Sequence, residues 1–208
     1  MPPDAAVLTF VRAALPAPPA RVLEVGAGRG ALAAVLREAG YDVVAIDPAA
    51  DGAPGVEPVA LLDLEADDAS FDAAIAVLSL HHVDPLAVSC ARLAALVRPG
   101  GTLVVDEFDV ALLDQRAARW QMAQRAAAGL HVPDDLVAWT AGMRGHLHAL
   151  SEIRNALAPE FAVGEPVRGA YLYRWELDPA LRAVEEQLIA DGALPATGAR
   201  LVGVRRYQ

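Results

Sequence analysis

Two groups of residues in this chain have the types and spacing to do chemistry. Glu24, Gly26, Gly28 and Gly30 alternate along Glu24-Val25-Gly26-Ala27-Gly28-Arg29-Gly30. Glycines at alternate positions leave backbone N–H groups open to a ligand, and their missing Cβ atoms let it approach the main chain. The second group is the histidine pair His81–His82, with Asp106, Glu107, His146 and His148 further along. Imidazole titrates near neutrality and can serve as a general base. The elements that must position these residues follow from the flanking pattern. Val22, Leu23 and Val25 read as a buried parallel strand. Leu32, Val35, Leu36 and Ala39 fall at helical spacing after the glycines. Strand, glycine turn and helix in that order make a nucleotide-type pocket.

The spacing admits two nucleotides. Gly26, Gly28 and Ala31 satisfy the dinucleotide fingerprint G-x-G-x-x-G/A. Glu24, Gly26, Gly28 and Gly30 give instead E-x-G-x-G-x-G, which resembles motif I of the class I S-adenosylmethionine-dependent methyltransferases. A carboxylate at the strand end attracts a sulfonium and an α-amino group, whereas it repels a pyrophosphate. Glu24 therefore favours S-adenosylmethionine. Phe71-Asp72 followed by Leu80-His81-His82 is similar to strand four of small-molecule methyltransferases of the ubiquinone-biosynthesis type, and Arg98-Pro99-Gly100-Gly101 resembles their turn into strand five. The resemblance covers about residues 20 to 108.

A net charge of −10, with all 17 basic residues arginine, disfavours nucleic acid and anionic membrane as partners. No apolar run reaches the ~20 residues that span a bilayer. Met1-Pro2-Pro3-Asp4 has no basic region ahead of a hydrophobic one, which argues against a secretory signal. One cysteine makes no internal disulfide and agrees with a cytoplasmic location. At 208 residues the chain suits one domain.

Along the chain, Asp4 to Leu15 predicts a leading helix that a proline-rich link closes by residue 19. Val43 to Ile46 predicts a second strand ending at Asp47-Pro48, and Asp47 stands close to the ~20-residue offset of a ribose-binding acid. Val59 to Leu62 suggests a third strand, ending at Asp63-Leu64. Phe71 to Leu78 reads as a fourth and Thr102 to Val105 as a fifth. Between them Leu86, Cys90, Leu93 and Val97 form one helical stripe, which puts Cys90 in the core. Helical segments from about 109 to 158 interrupt the strand rhythm. Tyr171 to Leu177 then alternates with period two, Asp178-Pro179 starts a helix, and Leu201 to Arg206 closes the chain as a strand.

The resemblance implies a Rossmann-like α/β fold. Its sheet has seven mostly parallel strands with strand seven antiparallel, helices on both faces, and a helical lid insertion after strand five. It implies that Glu24, Gly26, Gly28 and Gly30 face the methionine part, with Ser79 beside it. Asp47 and Pro48 then belong to the ribose side, Asp63 accepts from the adenine amino group, and Leu64 packs on the ring. Candidate bases are His82, His81 and the lid residue His146, with Asp106 and Glu107 nearby. His148, two positions on, points elsewhere into solvent. No H-E-x-x-H or C-x-x-C spacing indicates a metal. The expected activity is methyl transfer to an O, N or C atom of a small molecule. The alternatives are a protein of this fold that binds S-adenosylmethionine without transfer, or an NAD(P)-dependent reductase.

Overall fold

The computed structural model describes residues 3–207, so the reading of Met1 and Pro2 lies outside the described residues. The apolar runs pair as parallel strands: β1 (Arg21–Val25), β2 (Asp42–Ile46), β3 (Phe71–Val77) and β4 (Val97–Phe108), in the order β2-β1-β3-β4. A late strand runs antiparallel beside β4. It pairs in turn with two three-residue strands, β5 (Phe161–Val163) and β6 (Val167–Gly169). This late strand is β7 (Gly198–Arg205), and it completes the seven-stranded mixed sheet.

Helices cover both faces because neighbouring strand residues point to opposite sides. Val22, Ala73, Ile75 and Val104 meet α1 (Ala5–Ala14) and α2 (Ala31–Glu38). Leu23, Ala74, Leu103 and Val105 meet α3 (Leu86–Leu96) and the later helix Leu150–Leu157. The Asp4 carboxylate caps α1 by accepting from the Ala6 and Val7 N–H groups. Cys90 lies fully buried in α3, and burial pushes its thiol up to about 11, which makes it a small hydrophobe. After β4 come α4 (Gln115–Ala127), α5 (Leu136–His146) and then α6 (Leu150–Leu157). The chain continues through α7 (Leu181–Ala190) into β7. None of these helices is long and apolar enough to cross a membrane.

Two predicted strands are not strands. Val59–Leu62 joins no strand: Glu57 makes a single bridge to Ile46, and the next donor that could face β2, the Val59 N–H, turns back to Glu57 O at 2.9 Å. The chain turns instead into a single 3-10 turn at Leu61–Asp63. Tyr171–Leu177 has the period of a strand, but its backbone donors are taken by a remote carboxylate. Glu185 of α7, fully buried, accepts from the N–H groups of Tyr171 (2.8 Å), Leu172 (2.9 Å) and Tyr173 (2.9 Å). Those bonds bend the segment into a 3-10 turn at Leu172–Arg174. Asp178 and Pro179 precede α7 as expected, but the helix starts at Leu181, two residues beyond the proline.

The Glu185 bonds generate a prediction. Glu185→Ala strands three buried donors at once, so it should lower unfolding stability by about 3 kcal/mol or more. Chemical denaturation would measure this, and a loss within experimental error would contradict the assigned role.

Candidate functional site

A cavity of about 480 Å³ opens where the carboxyl ends of β1, β2 and β3 meet, the edge where open α/β sheets bind ligands. Its wall brings together Gly26, Asp47, Pro48, Ser79 and His82 from the predicted set. Each is held by specific local structure.

Gly26 adopts φ +73°, and a Cβ there would stand 2.3 Å from the Ser79 Cβ. Only glycine lets the loop after β1 close against the loop after β3. Gly30, at φ +76°, is packed similarly against Val56. Gly28 differs: a Cβ there would meet nothing within 4 Å, so its open side leaves room for a ligand. Its N–H donates to Asp47 Oδ2 at 2.8 Å, while Ala49 N–H donates to Asp47 Oδ1 at 2.8 Å. Asp47 is thereby fixed, and each oxygen keeps a lone pair for a vicinal diol.

The turn after β3 hangs from one carboxylate. Glu107 is wholly buried, and its Oε1 accepts from Ser79 N–H at 3.0 Å and Leu80 N–H at 2.7 Å. Its Oε2 pairs with His81 Nδ1. Glu107 and His81 are therefore occupied in shaping the turn, and neither lines the cavity. His82 does line it, with its ring 4.2 Å from that of His81. Burial, followed by the neighbouring His81, lowers the His82 pKa below 6.5. The imidazole is thus neutral at pH 7 and able to accept a proton. Ser79 Oγ and Ser89 Oγ, both buried against the cavity, have no partner among the described residues.

The remaining candidates fall elsewhere. Glu24 faces α2, beside the Ala33 N–H and Arg37, and does not line the cavity. The alternation of β1 explains this, since Glu24 shares the face of Val22. Asp63 is exposed and Leu64 belongs to the core below α3, so the 3-10 turn at Leu61–Asp63 moves both out of the wall. Val59, Ala60, Leu61 and Leu62 line it instead. His146 is exposed on α5, its Nδ1 against Gly142 O at 2.6 Å, and does not reach the cavity. His148 is not free in solvent: its Nε2 meets Val83 O at 3.1 Å and its N–H donates to His81 O at 3.0 Å. Asp106 is bound by Arg174 and Arg200. Among the described residues no three His, Cys, Asp or Glu side chains converge to hold a metal.

Sequence reasoning missed Ala60–Leu62 as wall residues, because their apolar run reads as a strand. It also missed an aromatic cluster beyond Leu78. Phe108 stacks on Tyr171 at 4.7 Å, and Trp175 lies 4.9 Å from Phe108 and 6.0 Å from Trp139. Leu78, which lines the cavity, packs against this cluster from a backbone at φ +54°.

Burial raises the Glu24 pKa to about 7 from 4.5, against the opposing pull of Arg37 and the Ala33 N–H. Between those values the folded chain holds a proton that the unfolded chain has released. Stability from this group therefore falls as pH rises from 4.5 to 7, by at most about 3 kcal/mol. Glu24→Gln should flatten the melting temperature across that window, and a profile as steep as the wild type's would contradict the assignment.

Comparison with known proteins agrees with this architecture. The family described as methyltransferase domain matches residues 4–140, well over half of the chain. An uncharacterized methyltransferase of Mycobacterium tuberculosis (strain ATCC 25618 / H37Rv) is 42% identical over 98 residues, covering 43% of this chain and 40% of its own length. A ubiquinone biosynthesis O-methyltransferase of Xanthomonas campestris pv. campestris (strain B100) is 39% identical over 121 residues, 49% of this chain and 48% of its own. The chain thus spans less than half the length of these curated relatives. An S-adenosylmethionine-dependent methyltransferase structure from Mesorhizobium loti superposes with a TM-score of 0.62 at 21% identity, covering 97% of this chain and 99% of that one. The chain belongs to the methyltransferase-domain family and has the class I fold of its S-adenosylmethionine-dependent members.

Proposed function

We propose that this chain transfers a methyl group from S-adenosylmethionine to an O, N or C atom of a small-molecule acceptor. The observation that carries the reading is the cavity whose wall joins Gly26, the Asp47 carboxylate fixed by the Gly28 and Ala49 N–H groups, and the Ser79 hydroxyl, which has no partner among the described residues. That set matches a donor with a polar amino-acid end and a ribose. Asp47 takes the ribose hydroxyls, Pro48 and Leu61–Leu62 hold the base between apolar walls, and Gly26, Gly28 and Ser79 face the methionine part. Glu24 stands behind the loop, against α2, and makes no contact with the donor. A small acceptor is supported by the name of the ubiquinone-pathway relative, and an acidic surface agrees with it.

When bound, S-adenosylmethionine supplies an electrophilic methyl on a cationic sulfur that departs neutral. Little covalent chemistry is then left to the protein, which orients the partners and keeps water out. His82, neutral at pH 7, takes the proton of an acceptor hydroxyl or amine. Within the segment of about 109–158, α4 and α5 form the lid while α6 packs on the sheet beside α3, and Phe108, Tyr171, Trp139 and Trp175 give the acceptor side its apolar wall. The setting is the reducing cytoplasm, and the whole chain acts as one methyltransferase domain.

Calorimetry with S-adenosylhomocysteine tests the donor part directly. The chain should bind it and give no heat with a nicotinamide dinucleotide; the reverse result would overturn the proposal. Asp47→Ala should weaken that binding by roughly tenfold or more through loss of two accepted hydrogen bonds. For transfer, a panel of phenols and amines should release S-adenosylhomocysteine with at least one acceptor. With that acceptor, His82→Gln should slow turnover roughly a hundredfold. The wild-type rate should hold at pH 7 and fall only once acidification passes the lowered His82 pKa, where the base becomes protonated. Binding of the donor without turnover on any acceptor would leave a binding module in place of an enzyme.

A further inference from the structure

A second cavity lies on the α1 side of the sheet, between the end of β4, the start of β7 and α7. It measures about 150 Å³, and its wall carries Arg168, Arg174, Arg182 and Arg200. These are four of the 17 arginines of a chain whose net charge is −10. They come from separate stretches of sequence: β6, the turn after it, α7 and β7.

Each guanidinium is anchored, and none is used up. Arg174 and Arg200 donate to the two oxygens of Asp106, at 2.5 and 2.8 Å. Arg182 donates to Glu186 at 2.8 Å and Arg168 to Asp109 at 2.7 Å. Only one N–H of each makes these contacts, whereas guanidinium carries five donors in a planar fork. The wall itself holds four guanidiniums against two carboxylates, Asp106 and Glu186. Asp109 stands behind it. Asp4 also lies outside the wall, accepting from the Tyr173 hydroxyl at 2.6 Å. With Asp109 and Asp4 counted, the carboxylates balance the four guanidiniums and fix their geometry, and what remains is the set of spare N–H donors beside a space large enough for one small oxyanion.

This cavity is next to the donor cavity. Leu78, in the wall of the first, donates its N–H to the carbonyl of Asp106, in the wall of the second, at 2.8 Å. We propose that the arginine-lined cavity binds a carboxylate or phosphate oxyanion, carried by the methyl acceptor as its anchoring group. The acceptor would then be an acidic small molecule, held by its anionic end while its nucleophilic atom reaches past Leu78 toward the methyl position. The acceptor assignment rests on the methyltransferase reading; the oxyanion site itself does not.

The experiment uses the full chain and inorganic phosphate at constant ionic strength, followed by calorimetry. A saturable heat is expected, and Arg182→Gln combined with Arg200→Gln should weaken it at least roughly tenfold. S-adenosylhomocysteine affinity of that double variant should stay at the wild-type value, which also reports that it is folded. No saturable heat with phosphate, or an unchanged constant in the double variant, would overturn the inference. So would joint loss of phosphate and S-adenosylhomocysteine binding, because the arginines would then serve the donor's own carboxylate. Absence of S-adenosylhomocysteine binding in the wild type strikes the methyltransferase reading instead, and phosphate binding is scored separately. In turnover assays, phosphate competing with an acidic acceptor identifies the acceptor's own group as the occupant. Inhibition without such competition assigns the cavity to a free anion and overturns the anchoring role.

Discussion

The site depends on one buried carboxylate. Glu107 has no exposure to solvent, and both its oxygens are spent on the turn that follows β3. Removing a carboxylate from water costs several kcal/mol, which is offset only where charge-assisted hydrogen bonds replace the lost solvation. The Ser79 and Leu80 N–H groups and the His81 ring supply them. In return the turn is locked in the one conformation that presents Ser79 and His82 to the cavity while burying His81 behind them. Glu185 does the same for Tyr171–Tyr173 on the other side of the aromatic cluster. Two acids with remote backbone partners thus shape both the donor wall and the adjoining apolar wall.

The glycine loop completes the arrangement through close approach. Gly26 meets Ser79 so tightly that no side chain fits, which couples the ends of β1 and β3. Gly28 couples β1 to β2 through its bond to Asp47. The three strand ends are therefore tied by a steric contact, a backbone-to-carboxylate bond and the Glu107 clamp. None of these involves the apolar core directly. The core sets the spacing of the strands, and the polar ties decide what the edge displays.

Much of this was legible in the sequence, for reasons that differ by element. β1, β2, β3 and the Leu103–Val105 part of β4 are short, largely buried apolar runs, so their pattern is local and strong. Gly26, Gly28 and Asp47 follow from a spacing that depends on one strand–turn–helix unit. The displaced residues are those whose position depends on something distant. Asp63 and Leu64 reach the wall only if Val59–Leu62 extends the sheet, and the Val59 N–H turns back to Glu57 O instead. Tyr171–Leu177 alternates as a strand does, but the Glu185 partner of its first three N–H groups lies 12 to 14 residues on. His146 sits on an apolar-looking stripe whose helix turns it to solvent. The arginine cavity draws on β6, its following turn, α7 and β7, so no local window contains it.

The most direct test of the account is a crystal structure of the full chain with S-adenosylhomocysteine. The account predicts the ribose hydroxyls on the Asp47 carboxylate, the base against Pro48 and Leu61–Leu62, and the sulfur beside Ser79, with the Glu107 turn unchanged. Density for the ligand anywhere other than this cavity, or a ribose that leaves Asp47 bonded only to Gly28 and Ala49, would contradict it.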